Sequence, residues 1–520
     1  MAMVNDSRLL YAILAPLIGA GLVMATGKKP NLRESCSFLA AAALFGIVAS
    51  LIPDVLEASK NGQTLHYTLF QLLPGLSLSL RADGLSMIFA VAASFLWVLA
   101  VFYAAGYMRG LHEHAQTRFN ACFALALFGA IGGAFADNLL TLYFFYEVVS
   151  VSTYPLVAHH QDEEGYEGAR KYLIYLTTTA KALILPAMVL IYVLSGTLDF
   201  ATNAHTGILP AGVHNGVIIA LYAACILGFA KNGVMPFHSW LPSAMVAPTP
   251  VSALLHAVAV VKIGVFATVR VMLYVFGTDL MTRLNLGLPT AYFVSFTILV
   301  GSIIALSKDN LKARLAYSTV SQLSYVILGV ALLNPVGIEG GLFHIAAHAF
   351  SKITLFFCAG AIYVVTHKKN ISELGGLGRQ MPWTFAAFAI AALSMIGAPP
   401  VAGFTSKLYM LVGSLEAGSI GILVVLIGSS LLNAAYFAPV VYHAFFGKPP
   451  AAAPAVADAH GGHGDADPHS AIADPHCAAH GATGEAPLAM LIPLCLTAAI
   501  SAVIGFCPGF FMQFAEAVLK

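Results

Sequence analysis

The sequence predicts an all-α polytopic membrane protein with about 14 transmembrane helices. The composition identifies the environment, because 59% of the 520 residues are hydrophobic, only 9% are charged, and the mean hydropathy is +0.83. A soluble domain typically carries about 25% charged residues. Two further observations, a series of apolar windows and a pair of proline-rich breaks, predict two inverted five-helix repeats in which helices 7 and 12 are broken.

The helix count comes from the apolar windows. A spanning helix needs roughly 20 mostly apolar residues, and such windows centre near residues 17, 45, 95, 127, 148, 183, 225, 263, 298, 325, 353, 390, 430 and 500. The stretch TLHYTLFQLLPGLSLSLRADG, residues 64–84, is broken by proline and glycine and is predicted to be an extended excursion at the membrane surface. The first apolar stretch lacks a basic leader, so no cleavable signal peptide is expected.

The distribution of cations predicts the orientation. With the N-terminus outside, fourteen lysines and arginines fall in inside loops. The outside segments hold only Arg8, Lys60, Arg81, Arg283 and Lys520. Because cytoplasmic loops are enriched in Lys and Arg, we expect a multi-pass protein of a prokaryotic cytoplasmic membrane with both termini outside.

Ionisable residues inside the predicted spans are the main functional signal. A charge at the bilayer centre costs about 2.5–3.5 kcal/mol on insertion scales, so such residues are rare and usually functional. Arg270 sits late in its span and is expected to extend its guanidinium to the interface, whereas Lys181 fits a structural or a functional role. The six cations within or at the edge of spans are Lys181, Lys231, Lys262, Arg270, Lys352 and Lys407.

One acid accompanies these cations. Glu147 interrupts the apolar and aromatic run FFYEVVSVSTYP, residues 144–155. It is the only acid predicted to lie deep in the membrane, and it is therefore the negative charge expected to hold one of the lysines. The alternative is a carboxyl group that only fixes the packing of two helices.

Prolines interrupt two spans. In GFAKNGVMPFHSWLPSAMVAPTPVSALLH, residues 228–256, a helix that carries Lys231 breaks near Pro236; in SMIGAPPVAGFTSKLYMLVG, residues 394–413, a proline pair precedes Lys407. Open backbone at membrane depth is tolerated only where protein buries it or water lines it. Broken helices at corresponding positions of two halves are typical of inverted-repeat transporters, and ordinary proline kinks are the alternative.

The breaks lie five spans apart and divide the chain. The predicted parts are helices 1–3 with the surface excursion (1–118), the first repeat with helices 4–8 (119–277), the second repeat with helices 9–13 (278–447), a His-rich cytoplasmic loop (448–487) and helix 14 (488–520). Between 449 and 487 the loop has five histidines and five acids without Lys or Arg. This composition predicts a disordered linker, with metal binding as the alternative.

A row of titratable side chains lies in LFHIAAHAFSKITLFF, residues 342–357. His344, His348 and Lys352 are spaced at i, i+4 and i+8, which places them on one helix face. Since histidine exchanges protons near neutral pH, this face predicts a proton relay. The alternatives are polar packing between helices and a metal pair, for which no third Cys, Asp or Glu ligand lies nearby on that helix.

The sequence predicts no cofactor. The seven cysteines form no CxxC pair, and the chain has neither a GxGxxG turn in a strand-to-helix context nor a GxxxxGK loop. We therefore expect no haem, iron–sulfur cluster, nucleotide, metal or nucleic acid to bind. Redox chemistry or ATP hydrolysis, if coupled to this chain, is expected on another subunit.

Five motifs of the chain resemble those of one family. They are FFYEVVSVSTYPL, PFHSWLPSAMVAPTPVSALLH, LKARLAYSTVSQLSYVILG, HIAAHAFSKITLFF and PPVAGFTSK. Their order and spacing are similar to those of the antiporter-like subunits of respiratory complex I, membrane-bound hydrogenases and Mrp-type cation/proton antiporters, over residues 80–450. The resemblance implies a fourteen-helix core with two inverted five-helix repeats.

The resemblance also implies roles for individual residues. Glu147 matches an acid that pairs with the lysine of the broken helix, here Lys231, and Lys407 matches the terminal charge of the second half-channel. The other implied relay residues are His256, Lys262, His344, His348 and Lys352, and the secondary candidates are Lys181, His238 and Lys308. For Lys308 the alternative is a surface cation that sets the topology.

The function implied by the resemblance is that of a proton-translocating membrane subunit of a multisubunit respiratory complex. A proton would enter near Lys231 or Lys262 from the inside and leave past Lys407, with the Glu147–Lys231 pair as a switch. The expected partners are other membrane subunits, including further antiporter-like subunits, together with lipid and protons or Na⁺. The chain would do no chemistry of its own within an oxidoreductase of the NADH/quinone or hydrogenase type.

Three alternatives stay open on the sequence. They are a Na⁺/H⁺ antiporter subunit of an Mrp-type complex, a proton-coupled subunit for inorganic carbon uptake, and a structural membrane scaffold. The chain ends shortly after its last predicted span, which is similar to a middle member of a subunit array or to the D-type antiporter subunit.

Overall fold

The computed structural model describes residues 2–73, 76–448 and 484–519 and is mostly helical. The helices up to the middle of the chain are α1 (Arg8–Ala25), α2 (Pro30–Lys60), α3 (Gly84–Gly110), α4 (Gln116–Ala134), α5 (Leu139–Val157), α6 (Glu163–Thr179), α7 (Leu185–Ser195), α8 (Asn215–Gly228), α9 (Trp240–Ser243), α10 (Thr249–Ala253), α11 (Val260–Val271) and α12 (Thr278–Arg283). The others are α13 (Gly287–Ser307), α14 (Leu311–Ala331), α15 (Pro335–Thr366), α16 (Pro382–Ile396), α17 (Ala402–Glu416), α18 (Ile420–Phe446), α19 (Leu488–Phe506) and α20 (Gly509–Leu519). Most of the predicted His-rich linker lies outside the described residues.

Eleven described helical segments are long and apolar enough to span a membrane. Two of them, 163–195 and 249–276, contain π-helical turns that join α6 to α7 and α10 to α11. The predicted broken spans consist of short helices on either side of an interruption, α8 with α9 and α16 with α17. The helical polytopic class and the two breaks are confirmed, and the total of fourteen spans stays a prediction.

The predicted surface excursion forms part of a three-stranded sheet, so the all-α prediction was incomplete. The strands are β1 (Ala2–Asn5), β2 (Gln63–Leu73) and β3 (Leu76–Ala82). β1 pairs in parallel with β2, and β2 pairs antiparallel with β3. Near this sheet Ser59 Oγ donates to the carbonyl oxygen of Ala517 at 3.5 Å. The two described ends of the chain therefore lie at the same end of the bundle.

Asp and Asn side chains start several of the helices. Each accepts a hydrogen bond from a backbone N–H three residues later, which satisfies a donor that the first helical turn leaves free. The distances are 2.9 Å for Asp83, 2.8 Å for Asn138, 2.7 Å for Asp162, 3.0 Å for Asn310 and 2.8 Å for Asn334. These polar caps mark the ends of apolar segments and so define where each helix begins.

Two helical segments form the centre of the bundle. Every residue of 249–276, which includes α10 and α11, is buried, and α15 packs against α3, α14, α16, α17 and α19. A side chain on the inner faces of these helices meets only protein. Charged residues at this position must therefore find their partners within the bundle.

The expectation that Arg270 extends to the interface was wrong. Its side chain is fully buried and forms a bidentate pair with Asp83, with Nη1–Oδ2 at 2.5 Å and Nη2–Oδ1 at 3.0 Å. Arg81 Nε lies 3.3 Å from the same carboxylate. The loop before α3 therefore brings an acid with 11% of its side chain exposed to the end of α11, and Glu147 is not the only internal negative charge.

Candidate functional site

The first break positions Lys231 against helix α5. Lys231 is fully buried, and its Nζ donates to the carbonyl oxygen of Tyr146 at 2.6 Å and to Ser150 Oγ at 2.7 Å. The Nζ also lies 3.1 Å from the centroid of the Tyr146 ring. An ammonium group is thus held by neutral oxygens and an aromatic face inside the bundle.

Side chains satisfy the open backbone of this break. Asn232 accepts from the backbone N–H of Val234 at 2.9 Å, and Trp240 Nε1 donates to the carbonyl oxygen of Ala230 at 3.0 Å. The backbone N–H of Met235 donates to Thr297 Oγ1 at 3.2 Å. These bonds replace the helical bonds that the interruption removes, as required for irregular backbone at membrane depth.

Glu147 lies on a different side of α5. Its neighbours Tyr146 and Ser150 are buried, whereas Glu147 is half-buried and successive helical residues are about 100° apart. Its Oε1 has no hydrogen-bond partner among the described residues. Among the described residues, the predicted ion pair between Glu147 and Lys231 is absent, because the Lys231 ammonium group is held by the buried side of the same helix. Lys181 is exposed on the outside of the bundle.

A second group of titratable side chains meets between α11 and α15. Lys262 Nζ donates to the carbonyl oxygen of Ile345 at 2.8 Å and lies 2.9 Å from His348 Nδ1. With Lys262 protonated, His348 accepts at Nδ1 and carries its own proton on Nε2. This Nε2 has no partner among the described residues. The next ring along the helix is His344, whose centroid is 6.1 Å from that of His348.

His344 is hydrogen-bonded at both ring nitrogens. Its Nε2 lies 3.1 Å from Gln322 Oε1, and its Nδ1 lies 2.8 Å from Ser406 Oγ, which is 3.0 Å from the carbonyl oxygen of Gly403. A neutral His344 accepts the Ser406 hydroxyl hydrogen. A protonated His344 donates to Ser406, whose hydrogen then turns to Gly403. The imidazole is therefore satisfied in both protonation states without movement of its neighbours.

The second break positions Lys407 at the end of this row. Lys407 Nζ donates to the carbonyl oxygens of Met395 at 2.8 Å and Ile396 at 3.0 Å, which are the free carbonyls at the C-terminus of α16. A cation is stabilised at that end of a helix. Gln322 Nε2 donates to the same Met395 oxygen at 3.2 Å. Gln322 thus connects the environment of His344 with that of Lys407.

The structure does not join the remaining candidates to this row by hydrogen bonds. Lys352 donates to Ser318 Oγ, and the His256 ring lies against Phe356 with both nitrogens lacking a partner among the described residues. His238 is half-buried near the first break, and Lys308 is half-buried at the end of α13. The surface interpretation of Lys308 agrees with this position.

Sequence reasoning did not single out the neutral residues that connect the row. Gln322 and Ser406 are fully buried in apolar surroundings, as are Ser150 and Ser318. A polar residue inside an apolar span is a signal of contacts between helices. That signal marks these residues as candidates, but their partners depend on the packing of distant segments.

We expect Ser406→Ala to slow proton movement through this site by about tenfold. The change leaves a buried nitrogen of His344 without a partner, at a cost of about 1–3 kcal/mol. Ser414→Ala is the matched control, because Ser414 is a buried serine of the same helix whose hydroxyl donates to the carbonyl oxygen of Met410 at 2.7 Å and contacts no member of the row. Proton flux into vesicles that contain the assembled complex measures the effect; equal fluxes for the two variants would exclude Ser406 from the row.

We expect Gly264→Ala to destabilise the fold around Lys231. An alanine Cβ at position 264 would lie 2.3 Å from the backbone carbon of Lys231 and 2.4 Å from the nitrogen of Asn232. Overpacking of this kind costs about 1–3 kcal/mol. Gly428→Ala is the control, since nothing lies within 4 Å of that position. Thermal unfolding in detergent compares them, and a midpoint for Gly264→Ala as high as that of the control would contradict the close approach.

The fold and the buried row define an integral membrane protein that holds titratable groups through the centre of a helical bundle. The chain belongs to the family described as NADH:quinone oxidoreductase/Mrp antiporter, TM, whose pattern matches residues 136–433. Residues 74–120 match a second pattern, described as the N-terminus of chain 5 of NADH-ubiquinone oxidoreductase (complex I). The predicted family is therefore confirmed.

Relatives of the chain are named as subunits of NADH-quinone oxidoreductase or as antiporter subunits. The chain is 34% identical to NADH-quinone oxidoreductase subunit N of Desulforudis audaxviator, over 78% of this chain and 80% of that protein. It is 33% identical to subunit L of Mycobacterium tuberculosis, over 84% and 69%. It is 30% identical to the putative antiporter subunit mnhA2 of Staphylococcus aureus, over 77% of this chain and 51% of that protein.

Two solved structures share the fold. One is the Mrp complex from Dietzia sp. DQ12-45-1b, with a TM-score of 0.83, 22% identity and coverage of 99% of this chain and 96% of that chain. The other is a membrane-bound sulfane sulfur reductase, an archaeal respiratory membrane complex, with a TM-score of 0.83, 21% identity and coverage of 99% and 98%. Both are multisubunit membrane complexes, and the fold they share with this chain agrees with the fold class predicted from the sequence.

Proposed function

We propose that the chain is a proton-translocating, antiporter-like membrane subunit of a multisubunit respiratory complex. The observation that carries this proposal is the row from Lys262 through His348, His344 and Gln322 to Lys407. These side chains are buried. Lys262 contacts His348, His344 contacts Gln322, and Gln322 and Lys407 both donate to the carbonyl oxygen of Met395. The row has one gap, between the two imidazoles, whose centroids are 6.1 Å apart. One water molecule can bridge that space.

The Lys262–His348 contact suits proton transfer. If both groups were protonated at a separation of 2.9 Å, their repulsion would be about 6 kcal/mol at an effective dielectric constant of 20. The pair therefore holds one excess proton. Arrival of a proton at one group favours its departure from the other, and a row of such groups moves charge in steps.

The partners of the lysines argue against a scaffold. Among the described residues, Lys231, Lys262, Lys352 and Lys407 form no ion pair, although each is buried. Each buried charge costs several kcal/mol. A scaffold gains nothing from this arrangement, whereas a translocating protein needs groups that can gain and lose a proton.

Glu147 is the proposed point of control by a neighbouring subunit. It is half-buried at the surface of α5, one residue from Tyr146, whose carbonyl oxygen holds Lys231. A neighbour that neutralises or moves Glu147 changes the electrostatic stabilisation of Lys231. Moving one charge against 100 mV requires about 2.3 kcal/mol, so the change in this electrostatic interaction has to reach at least that value.

The division of the chain follows the same proposal. Segments 119–277 and 278–447 are proposed as the two inverted repeats, and the row crosses between them because Lys262 belongs to the first and His348 to the second. Helices 1–3 (1–118) and helix 14 (488–520) would surround them. We further propose other membrane subunits as partners, further antiporter-like subunits among them, and a cytoplasmic side for the loop 448–487 with both termini outside.

The test uses inverted membrane vesicles from cells that carry or lack this chain. The expected result is a pH gradient on addition of NADH or H₂, which is lost without the chain and lost in Glu147→Gln. A gradient in Glu147→Gln equal to that of the wild type would remove the switch. Addition of Na⁺ to vesicles with an imposed pH gradient distinguishes the Mrp-type alternative, because a Na⁺/H⁺ antiporter collapses the gradient. A gradient in Lys231→Ala equal to that of the wild type would favour the scaffold, because a scaffold needs no titratable group at this position.

A further inference from the structure

Two turns at one end of the bundle bring four possible metal ligands together. Residues 111–115 connect α3 to α4, and residues 158–162 connect α5 to α6. One donor atom each of Glu113, His114 and His159 lies within 4.8 Å of the others. His160 lies beside this group and is a further possible donor, with its Nδ1 3.7 Å from Glu113 Oε2. None of these residues belongs to the proton row.

His159 has an environment that points to a missing ligand. Its side chain is fully buried, and neither ring nitrogen has a hydrogen-bond partner among the described residues. Its Nε2 lies 3.6 Å from Glu113 Oε2, which is too long for a hydrogen bond. Buried polar groups are normally satisfied, and an unsatisfied one indicates an ion or a water molecule.

We propose that Glu113, His114 and His159, with His160 beside them, form a binding site for a divalent transition metal of the zinc type. Imidazole nitrogens with one carboxylate are a common zinc ligand set. Three imidazoles disfavour Mg²⁺ and Ca²⁺, which prefer oxygen ligands. The site would lie at the same end of the bundle as the α5–α6 turn and is independent of the proposed proton translocation.

The geometry needs little adjustment to hold the ion. Ligand atoms about 2.0–2.1 Å from a tetrahedral zinc are about 3.4 Å apart. The separations of His159 Nε2 and His160 Nδ1 from Glu113 Oε2, 3.6 Å and 3.7 Å, are close to this value. His114 is exposed and can move into place by rotation of its side chain.

Neighbouring groups hold the two turns and leave the ligands free. Arg118 Nη2 donates to the carbonyl oxygen of His159 at 2.9 Å, and Gln116 Nε2 donates to that of Glu113 at 3.1 Å.

A bound ion would connect the end of α3 to the end of α5. His159 is the second residue after α5, the helix that carries Glu147. The ion would restrict the α5–α6 turn relative to the α3–α4 turn. The metal would thus be structural, with water in any position that the protein leaves open.

Metal binding to the whole complex tests the proposal. The complex is purified through a streptavidin-binding tag, and five histidines of the 448–487 segment are replaced by Gln to remove background binding. These are His460, His463, His469, His476 and His480. After loading with Zn²⁺ and gel filtration, zinc is counted by mass spectrometry, and Co²⁺ substitution reports tetrahedral coordination through its visible absorption.

The expected result is one zinc per chain that His159→Gln removes. His114→Gln, at an exposed side chain, is expected to weaken binding by at least about tenfold, since even residues behind the ligands contribute about 10- to 100-fold. His112→Asn is the matched control in the same turn and should bind as the parent does. Absence of retained zinc in the parent, or retention in His159→Gln and His114→Gln equal to that in the parent, would overturn the proposal.

Discussion

Lys262→Met is expected to reduce proton translocation by the assembled complex at least about 100-fold. Among the described residues, Lys262 is the one side chain of the first predicted repeat that contacts His348 Nδ1. Its loss therefore interrupts the row where it passes from the first repeat to the second. Removal of a positioned acid or base commonly costs 10²- to 10⁴-fold. The formation of a pH gradient in energised vesicles measures the effect, with native gels to confirm assembly.

Lys262→Arg separates a titrating role from a fixed charge. Arginine keeps its proton under all accessible conditions, so a relay should fail with arginine as it does with methionine. Translocation retained in Lys262→Arg would instead indicate that only a positive charge is required. Lys60→Met, an exposed lysine at the end of α2, is the control and should leave translocation unchanged.

Asp83→Asn is expected to lower the free energy of unfolding by about 3–5 kcal/mol, the usual cost of removing one partner from a buried ion pair. Arg270 would lose its bidentate partner, and Arg81 would lose a second contact. SDS titration of the detergent-solubilised protein measures the change. The double variant Asp83→Asn/Arg270→Met removes both charges and should recover part of the loss.

Asp54→Asn is the matched control, because Asp54 pairs with Arg8 at the surface with 45% of its side chain exposed. Exposed pairs contribute about 0–1 kcal/mol. If Asp83→Asn cost no more than this control, the buried pair would not be a major source of stability.

The pH dependence of stability should report the same pair. Burial acts to raise the pKa of Asp83, which precedes α3, but Arg270 and Arg81 outweigh it and hold the pKa well below the ordinary value. For a lowered folded-state pKa, the stabilisation is complete above the unfolded-state pKa of about 4 and is lost as the pH falls through the folded-state pKa. We expect Asp83→Asn to lose less stability than the wild type on acidification below pH 4.

Local patterns in the sequence were sufficient to predict several features of the fold. Apolar windows predicted a polytopic helical protein, and prolines near 236 and 399 predicted the interruptions that separate α8 from α9 and α16 from α17. The spacing of His344 and His348 predicted a shared helix face. Each of these predictions depends on residues within one segment, and backbone geometry alone relates them.

Contacts between segments were harder to predict. Glu147 was expected to hold Lys231, yet the ammonium group lies against Tyr146 and Ser150 on the buried side of α5. Which side of a helix faces a charge depends on the rotation of that helix in the bundle. A list of acids and lysines does not contain this information.

The candidate metal cluster shows the same limit. Glu113 and His159 lie on turns that are separated by two helices in sequence, and no spacing rule relates them. By itself, the sequence determined the membrane environment, the family and the set of titratable residues, because these follow from composition and local motifs. Only the tertiary structure decided which of these groups meet, because hydrogen bonds form over about 3 Å and the packing of distant helices sets distances on that scale.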